Sequence, residues 1–214
     1  DDGLIHITRD GGVNWENITP PQMPKWLMIN SIEPSPFDPA VCYVAGTLYK
    51  TGDFKPYLYK TSDYGKTWVS ITSGIEKEHF TRVLRADPAR KGLLYAGTET
   101  GMYISFDDGA SWNSFQLNLP IVPITDLTLK ENSLIVATQG RSLWMLDDLT
   151  VLHQLNSVTE KDQITLFKPK DSYRTQGRSS KPSLTQGTNL PNGVVVYFNL
   201  NNYNEKEDVV QLHF

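Results

Sequence analysis

Three aspartates recur in one short pattern, and repeated carboxylates raise the possibility of calcium binding or acid–base chemistry. The pattern is Ser/Thr-x-Asp-x-Gly-x-x-Trp, and it occupies residues 8–15, 61–68 and 105–112. Calcium loops need several oxygen ligands and usually a distant bidentate Glu, a spacing that the sequence around these aspartates does not offer. We therefore interpret the repeated residues as structural. They are Asp10, Gly12, Trp15, Asp63, Gly65, Trp68, Asp107, Gly109 and Trp112.

The pattern predicts a tight turn between two β-strands. An alternating stretch comes before each Asp, and another follows each Trp. The Asp carboxylate can accept hydrogen bonds from turn amides, and Gly tolerates a positive φ. The hydroxyl of the Ser or Thr can add a further bond, and the indole can cover the turn.

The copies of the pattern follow one another at intervals of roughly 40 to 50 residues, a period typical of β-propellers. Around each copy we predict four short strands. They are 30–34, 43–47, 57–61 and 68–71; 81–86, 93–98, 102–105 and 112–117; and 125–130, 134–138, 142–146 and 151–155. The third set has Leu149 and Leu152 where Gly and Trp belong, so its turn is degenerate. Residues 3–18 match only the last two strands of an earlier set.

The sequence thus predicts an all-β fold, a partial β-propeller of about three and a half four-stranded blades. We expect residues 1–155 to be the C-terminal part of this propeller, 156–193 to be a polar linker, and 194–214 to be the first hairpin of a truncated β-sandwich. We also expect the chain to be a fragment of a larger protein. Its open blade edges would then be covered by the remaining blades or by a second copy.

Composition excludes several classes of function. The 214-residue chain has a net charge of −4 and no basic stripe, which argues against a nucleic-acid partner. It contains no apolar run of the ~20 residues that a membrane span requires. The single cysteine, Cys42, is expected to be a small buried side chain. The four histidines lack metal-ligand spacing, and we predict neither a metal nor a cofactor.

Strand connectivity places candidate site residues on the face away from the repeated turns. That face carries the loops between second and third strands and the crossings between blades, and loops on a rigid scaffold commonly bind ligands. The ligand-binding candidates are Trp26, Tyr49, Phe54, Tyr57 and Arg141. Asp53 and Glu99 are a conceivable catalytic pair, although a solvated loop rim is the simpler interpretation.

The repeated pattern resembles the Asp-box, or BNR repeat, of sialidases and sortilin-type receptors. The whole chain is similar to bacterial proteins with sortilin-like (Vps10-type) or xyloglucanase-like BNR propellers, some of them described as glycosyl hydrolases. The stretches that carry this resemblance are 2–12, 80–99 and 140–149. In that group the last stretch ends the propeller, and a Leu-Phe-Lys-Pro-like linker (166–169 here) and a β-sandwich follow. The resemblance implies an exported, extracytoplasmic protein.

Two functions remain open at this point. The first is a module that binds a glycan or a peptide without chemistry, as sortilin-type domains bind ligands. The second is part of a glycoside hydrolase, xyloglucanase-like rather than sialidase-like, because the Arg-Ile-Pro motif of sialidases is absent. Inverting hydrolysis would need two carboxylates about 6.5–9.5 Å apart across a cleft. No catalytic constellation is visible in the sequence, so we favour binding and expect this chain by itself to be inactive.

Overall fold

The structure is a computed structural model that describes residues 2–155, 164–173, 193–201, 203–204 and 209–211. The chain divides into two compact units, Asp1–Leu146 and Asp147–Phe214. Strands dominate the first unit. No helix in the described part of the chain has the length and apolar character to cross a membrane.

The first unit is built from consecutive antiparallel sheets, as the sequence predicts. A half blade pairs β1 (His6–Ile7) with β2 (Glu16–Asn17). The first full blade contains β3 (Met28–Pro34), β4 (Cys42–Leu48), β5 (Asp53–Thr61) and β6 (Val69–Ser70). The second full blade contains β7 (Thr81–Ala86), β8 (Leu94–Thr98), β9 (Met102–Ser105) and β10 (Asn113–Ser114). A third blade contains β11 (Ile124–Lys130), β12 (Ser133–Thr138) and β13 (Leu143–Leu146).

In every blade each strand pairs with its neighbour in sequence, so each sheet is an up-and-down meander. The strands are short, and the middle strands are the most buried because the sheets pack face to face. This arrangement confirms the predicted all-β partial propeller. The repeat is therefore a structural unit of the fold.

The predicted fourth strand of the third blade is wrong. Residues 151–155 do not form a strand; α1 (Thr150–Gln154) occupies this stretch. The side chain of Asp148 accepts a hydrogen bond from the Thr150 backbone N–H at 2.9 Å, a local contact that favours the start of a helical turn. The degenerate turn also lacks the Gly and the Trp that shape the other three. The sheet formed by β11–β13 accordingly has three strands.

The loop predicted between β4 and β5 is shorter than expected. β5 begins at Asp53, four residues before the predicted start, and only a 3-10 turn, Tyr49–Thr51, followed by Gly52 separates it from β4. Gly52 has a φ of 84° and closes this turn in the left-handed region. The candidate residues at this end of the blade are therefore held by a hairpin.

The buried core lies between adjacent blades. One cluster packs the half blade against the first full blade through Ile5, Leu27 and Tyr59, all of them buried. A second cluster joins the first and second full blades through Leu58, Leu84 and other buried side chains. Burial of apolar surface between sheets is the main stabilising term for such a fold. Each blade thus depends on its neighbours for its core.

The second unit contains α1 and a two-stranded sheet. β14 (Ile164–Leu166) pairs antiparallel with β15 (Phe198–Leu200). Residues 209–211 are not in a strand, and 205–208 and 212–214 lie outside the described residues, as does most of the predicted linker. The predicted hairpin at 194–214 and the predicted domain bounds therefore stay proposals.

Candidate functional site

The three Ser/Thr-x-Asp-x-Gly-x-x-Trp turns have the same pattern of hydrogen bonds. In the second, the Thr61 hydroxyl donates to Asp63 Oδ1 at 2.9 Å and accepts from the Gly65 N–H at 2.9 Å. The Thr67 N–H donates to Asp63 Oδ1 at 2.8 Å, and the Thr67 hydroxyl donates to Oδ2 at 2.6 Å. The turns around Asp10 and Asp107 repeat these bonds. Both oxygens of each carboxylate are thus committed within the turn.

These bonds stabilise the charged form of the carboxylates. Hydrogen bonds from Asn14 lower the pKa of Asp10 to about 2, and hydrogen bonds from Thr67 lower that of Asp63 to about 2. At Asp107 burial acts to raise the pKa, but hydrogen bonds from Ser111 and Ser105 outweigh it and the pKa is lowered. In the part of the chain that the structure describes, no three His, Cys, Asp or Glu side chains cluster as metal ligands would. The hydrogen bonds and lowered pKa values of the three carboxylates therefore suit a structural role for these turns.

Away from the turns, an aromatic cluster forms where β4 meets β5 and where the next blade begins. The rings of Tyr49 and Phe80 stack with centroids 5.0 Å apart and planes 8° from parallel. Phe54 lies against the same Phe80 ring at 6.1 Å. The guanidinium of Arg82 lies 5.6 Å from the Tyr49 centroid and 5.2 Å from that of Phe80. We call Tyr49, Phe54, Phe80 and Arg82 the aromatic–arginine cluster.

An ion pair fixes Arg82 in this cluster. Its Nε donates to Glu99 Oε2 at 2.7 Å, and its Nη2 lies 2.5 Å from the same oxygen. The Glu99 backbone N–H in turn donates to the Phe80 carbonyl at 3.1 Å. Because both side chains are mostly buried, the pair is screened less than a surface pair. Glu99 therefore positions Arg82 over the rings.

A cleft of about 310 Å³ opens beside the cluster. Tyr49 belongs to both, and the cleft is also lined by Trp26, Met28, Thr47, Leu48, Lys50 and Thr51. The Trp26 side chain is 69% exposed, and its backbone has a φ of 65°. A bulky residue in the left-handed region is an outlier that persists only where its surroundings hold it.

The next residue explains how Trp26 is held. Leu27 is completely buried, and a Cβ on Gly46 would lie 2.6 Å from its side chain. A Cβ on Gly3 would lie 2.9 Å from the Leu27 backbone nitrogen. Both glycines thus leave room for Leu27. Burial of Leu27 holds the strained backbone of Trp26 in place. The indole is presented to solvent at the mouth of the cleft.

The two acidic candidates are each engaged by a neighbour. The Tyr57 hydroxyl donates to Asp53 Oδ2 at 2.6 Å, and this bond holds the pKa of Asp53 below its usual value. Burial and the same bond raise the pKa of Tyr57. Glu99 is paired with Arg82, as described. Each acidic candidate is thus engaged by a neighbouring side chain.

The structure gathers only some of the residues predicted for this face. Tyr49 and Phe54 join the cluster, Trp26 lines the cleft with Tyr49, and Tyr57 contacts Asp53. Arg141 lies before β13 in the third blade, where its carbonyl accepts a bond from Trp144, and no contact among the described residues joins it to the cluster.

Sequence reasoning did not select Phe80 or Arg82 as site residues. Phe80 directly precedes β7, and Arg82 lies at a register shift between Thr81 and Val83, so the alternation of a regular strand does not place these two side chains. An aromatic residue and a cation at i and i+2 are visible in the sequence, but their shared cluster is not. The stacking of the predicted candidate Tyr49 on Phe80 is not visible either, because the two residues come from different blades.

Comparison with solved structures shows the propeller fold. YCF48 bound to D1 peptide superposes with a TM-score of 0.51 at 21% identity, over 68% of this chain and 46% of that one. YCF48 from Cyanidioschyzon merolae gives 0.48 at 16% identity, over 68% and 47%. The GH74 xyloglucanase from Xanthomonas campestris gives 0.44 at 17% identity, over 56% and 22%. The chain thus spans less than half of each of these structures.

No protein-family model matches the sequence. No curated protein matches it either. The similarity of this chain to known proteins is therefore limited to the fold, that is, to the arrangement of its β-propeller blades.

Proposed function

We propose that the chain is a ligand-binding propeller module whose binding surface is the 310 Å³ cleft and the adjoining aromatic–arginine cluster. The observation that carries this proposal is the exposed Trp26 held in a strained backbone at the mouth of the cleft. Strain is retained where the surrounding structure determines it, and such residues concentrate at binding sites. The ligand class is a glycan or a peptide.

The chemistry of the surface suits binding through ring faces. The charge of Arg82 is largely neutralised by Glu99, so the cluster offers stacked rings more than net charge. Trp26 adds a flat apolar face that can pack on a sugar ring or on an apolar peptide side chain. Lys50 contributes a cation at the edge of the cleft. Aromatic residues with a few polar groups are the usual lining of ligand sites.

Two further observations bear on the ligand and the location. One fold neighbour is solved in complex with a peptide, which is compatible with a peptide ligand here. The resemblance of the repeats implies an exported protein, and we propose an extracytoplasmic location. Fractionation of cells that produce the protein checks that location.

The hydrolase alternative is less well supported. A glycosidase needs one carboxyl group that is protonated near neutral pH, which usually requires a raised pKa. The pKa of Asp53 is lowered and Glu99 is ion-paired. Glu33 does have a pKa raised by burial, but it accepts a bond from the Ala86 N–H and faces Arg85. None of the three is arranged as an exposed general acid.

Binding to glycan and peptide arrays, followed by titration calorimetry of the hits, tests the proposal. We expect Trp26→Ala to weaken binding at least about tenfold, because exposed aromatic anchors commonly contribute most to such interfaces. Trp15→Ala is the matched control, since Trp15 is 61% exposed and lies in the half blade. It should leave the affinity unchanged.

Reducing-sugar release from any bound glycan separates binding from hydrolysis. We expect no release by the wild-type chain, and circular dichroism checks that Asp53→Asn and Glu99→Gln keep the fold. Binding that survives Trp26→Ala and Tyr49→Ala would contradict the proposed surface. Sugar release that is lost in Asp53→Asn or Glu99→Gln would establish the hydrolase instead.

A further inference from the structure

A repeated interlock joins the second and third Asp-boxes to the preceding blade. Trp68 Nε1 donates to the Ile18 carbonyl at 2.7 Å, and Trp112 Nε1 donates to the Ile71 carbonyl at 2.7 Å. Each acceptor lies three residues after the Trp of the preceding box. The indoles in these two interlocks are nearly buried, with Trp68 at 9% and Trp112 at 3% exposure.

The isoleucine side chain of each interlock lies over the glycine of the next box. A Cβ on Gly65 would lie 2.5 Å from Ile18 Cδ1, and a Cβ on Gly109 would lie 2.8 Å from Ile71 Cδ1. The glycine is therefore required for the contact with the preceding blade as well as for its positive φ. Each contact thus uses two groups of one isoleucine of the preceding blade. Its side chain packs over the glycine, and its backbone carbonyl accepts the hydrogen bond from the tryptophan.

The first box has the same turn but no docked isoleucine. Its Thr8, Asp10 and Asn14 bonds repeat those of the other boxes, so the turn itself is complete. Trp15 Nε1, however, donates to the carbonyl of Gly12 in its own turn at 3.1 Å. A Cβ on Gly12 would meet only the Trp15 ring, at 4.0 Å.

The surface around this box is apolar and exposed. Trp15 is 61% exposed and Val13 is 78% exposed, whereas the equivalent tryptophans are nearly buried. Exposed apolar surface of this kind marks interaction sites. We call Gly12, Val13 and Trp15 the vacant socket.

We propose that the vacant socket binds the outer strand of a further Asp-box blade joined in tandem, with an aliphatic residue over Gly12 and its carbonyl accepting from Trp15 Nε1. The second and third boxes have the corresponding sockets, which are filled by Ile18 and Ile71, and these two filled sockets define the expected occupant. Both are filled by the residue that ends the outer strand of the blade before them, and in both the blades follow one another along the chain. The vacant socket has the same residue types, and the hydrogen bonds of its Asp10 carboxylate repeat those of the two filled sockets.

A tandem duplication within this chain provides a direct test. In this duplication, residues 57–99 are placed directly before Gly3. They supply β6 as the outer strand of an added blade, with Ile71 directly after it, and they add copies of β7 and β8 as the first two strands of the half blade. This junction keeps the chain separation between the added isoleucine and Trp15 the same as that between Ile71 and Trp112. The probe is the exchange rate of the Trp15 indole N–H, assigned with Trp15→Phe.

We expect the indole N–H of Trp15 to exchange at least about tenfold more slowly in the duplicated chain than in the native chain, because a buried hydrogen bond between blades replaces the exposed bond to the Gly12 carbonyl. We also expect a higher thermal midpoint. Gly12→Ala in the duplicated chain should remove both gains, because the Cβ occupies the position of the isoleucine. An unchanged exchange rate in a duplicated chain whose circular dichroism shows the added strands would overturn the proposal.

The native chain supplies a second measurement that does not depend on folding of the duplication. The Trp15 indole N–H should exchange much faster than those of Trp68 and Trp112. Gly12→Ala should be far better tolerated than Gly65→Ala, although both glycines have positive φ. Equal exchange rates, or equal destabilisation by the two substitutions, would show that the socket is not vacant and would overturn the proposal.

Discussion

At the scale of single residues, the carboxylates of the repeated turns accept hydrogen bonds from residues of their own turn. Asp63 accepts from the Thr67 amide and hydroxyl and from the Thr61 hydroxyl, and it does so at the protein surface. The same bonds that shape the turn favour the ionised carboxylate. The turn should therefore respond to acid even though it takes part in no chemistry.

We predict that acid destabilises the fold between about pH 4 and pH 2. The pKa of Asp63 is lowered from 3.8 to about 2 in the folded chain. A lowered folded-state pKa gives stability that is fully present above the unfolded-state value and is lost as the pH falls toward the folded-state value. The thermal midpoint measured from pH 6 to pH 2 checks this prediction.

Asp63→Asn supplies the comparison for the acid prediction. The variant should be less stable at pH 6, because the amide cannot accept at both positions, and the difference from wild type should shrink toward pH 2. Asp2→Asn is a suitable control, since Asp2 is exposed and lies outside the boxes. A stability difference that stays constant over this pH range would contradict the prediction.

At the scale of elements, the second and third repeated hairpins are shaped for the blade before them. Gly65 and Gly109 have a positive φ and also allow the isoleucine of the preceding blade to approach. The strands on either side are only a few residues long, and a short hairpin has little stability by itself. Contacts between neighbouring blades therefore provide the stability that the isolated hairpins lack.

We predict that Gly109→Ala destabilises the fold much more than Gly52→Ala. Their φ values are 87° and 84°, so the left-handed backbone costs each alanine about the same, roughly 1 kcal/mol. A Cβ at Gly52 meets nothing within 4 Å, whereas one at Gly109 meets Ile71 Cδ1 at 2.8 Å. Crowding should add about 1–3 kcal/mol at Gly109.

Urea unfolding of the two glycine variants measures this difference. Because the backbone term is shared, the difference in their free energies of unfolding reports the contact between blades. Ile71→Val should recover part of the loss in the Gly109→Ala background by making room for the new Cβ. Equal costs for the two glycines would show that Ile71 moves aside without loss.

At the scale of the whole propeller unit, Arg85 connects three blades through their first strands. Its Nη1 donates to Ser31 Oγ in the first full blade at 2.8 Å. Its Nε donates to the Leu127 carbonyl in the third blade at 2.9 Å, and its Nη2 donates to Asp126 Oδ1 at 2.7 Å. Glu33 lies 3.5 Å from Nη1. One planar guanidinium thus fixes the relative positions of neighbouring sheets.

We predict that Arg85→Met lowers the free energy of unfolding by about 1.5–3 kcal/mol, since hydrogen bonds to a charged group are lost and Glu33 keeps no cation nearby. Arg85→Lys should recover only part of this loss, because a single ammonium group cannot make the hydrogen bonds that three guanidinium nitrogens make to separate acceptors. Urea unfolding followed by both tryptophan fluorescence and circular dichroism checks the prediction. In Arg85→Met we expect the two transitions to separate as the blades uncouple.

Arg9→Met is the matched control for Arg85. Arg9 also reaches a neighbouring blade, where it lies over the Tyr64 ring at 5.6 Å, but its side chain is 47% exposed. Its loss should cost well under 1 kcal/mol, as is usual for exposed pairs. An Arg85→Met variant as stable as Arg9→Met would show that the guanidinium does not couple the blades.

The sequence by itself determined the class of fold and most of its strands. The Ser/Thr-x-Asp-x-Gly-x-x-Trp turns and the alternating stretches beside them are local features, because their bonds join residues at most four apart. Local contacts leave a pattern in the sequence. The exception is 151–155, where a degenerate turn removed that pattern and α1 forms instead of a strand.

Tertiary structure decided what the side chains outside the turns contact. Tyr49 stacks on a ring from the following blade, Trp68 donates to a carbonyl of the preceding one, and Arg85 connects three sheets. The partners are tens of residues apart, and of these contacts only that of Trp68 follows the repeat, because its acceptor lies three residues after the Trp of the preceding turn. Such contacts depend on the packing of one blade against the next, which only the folded chain defines.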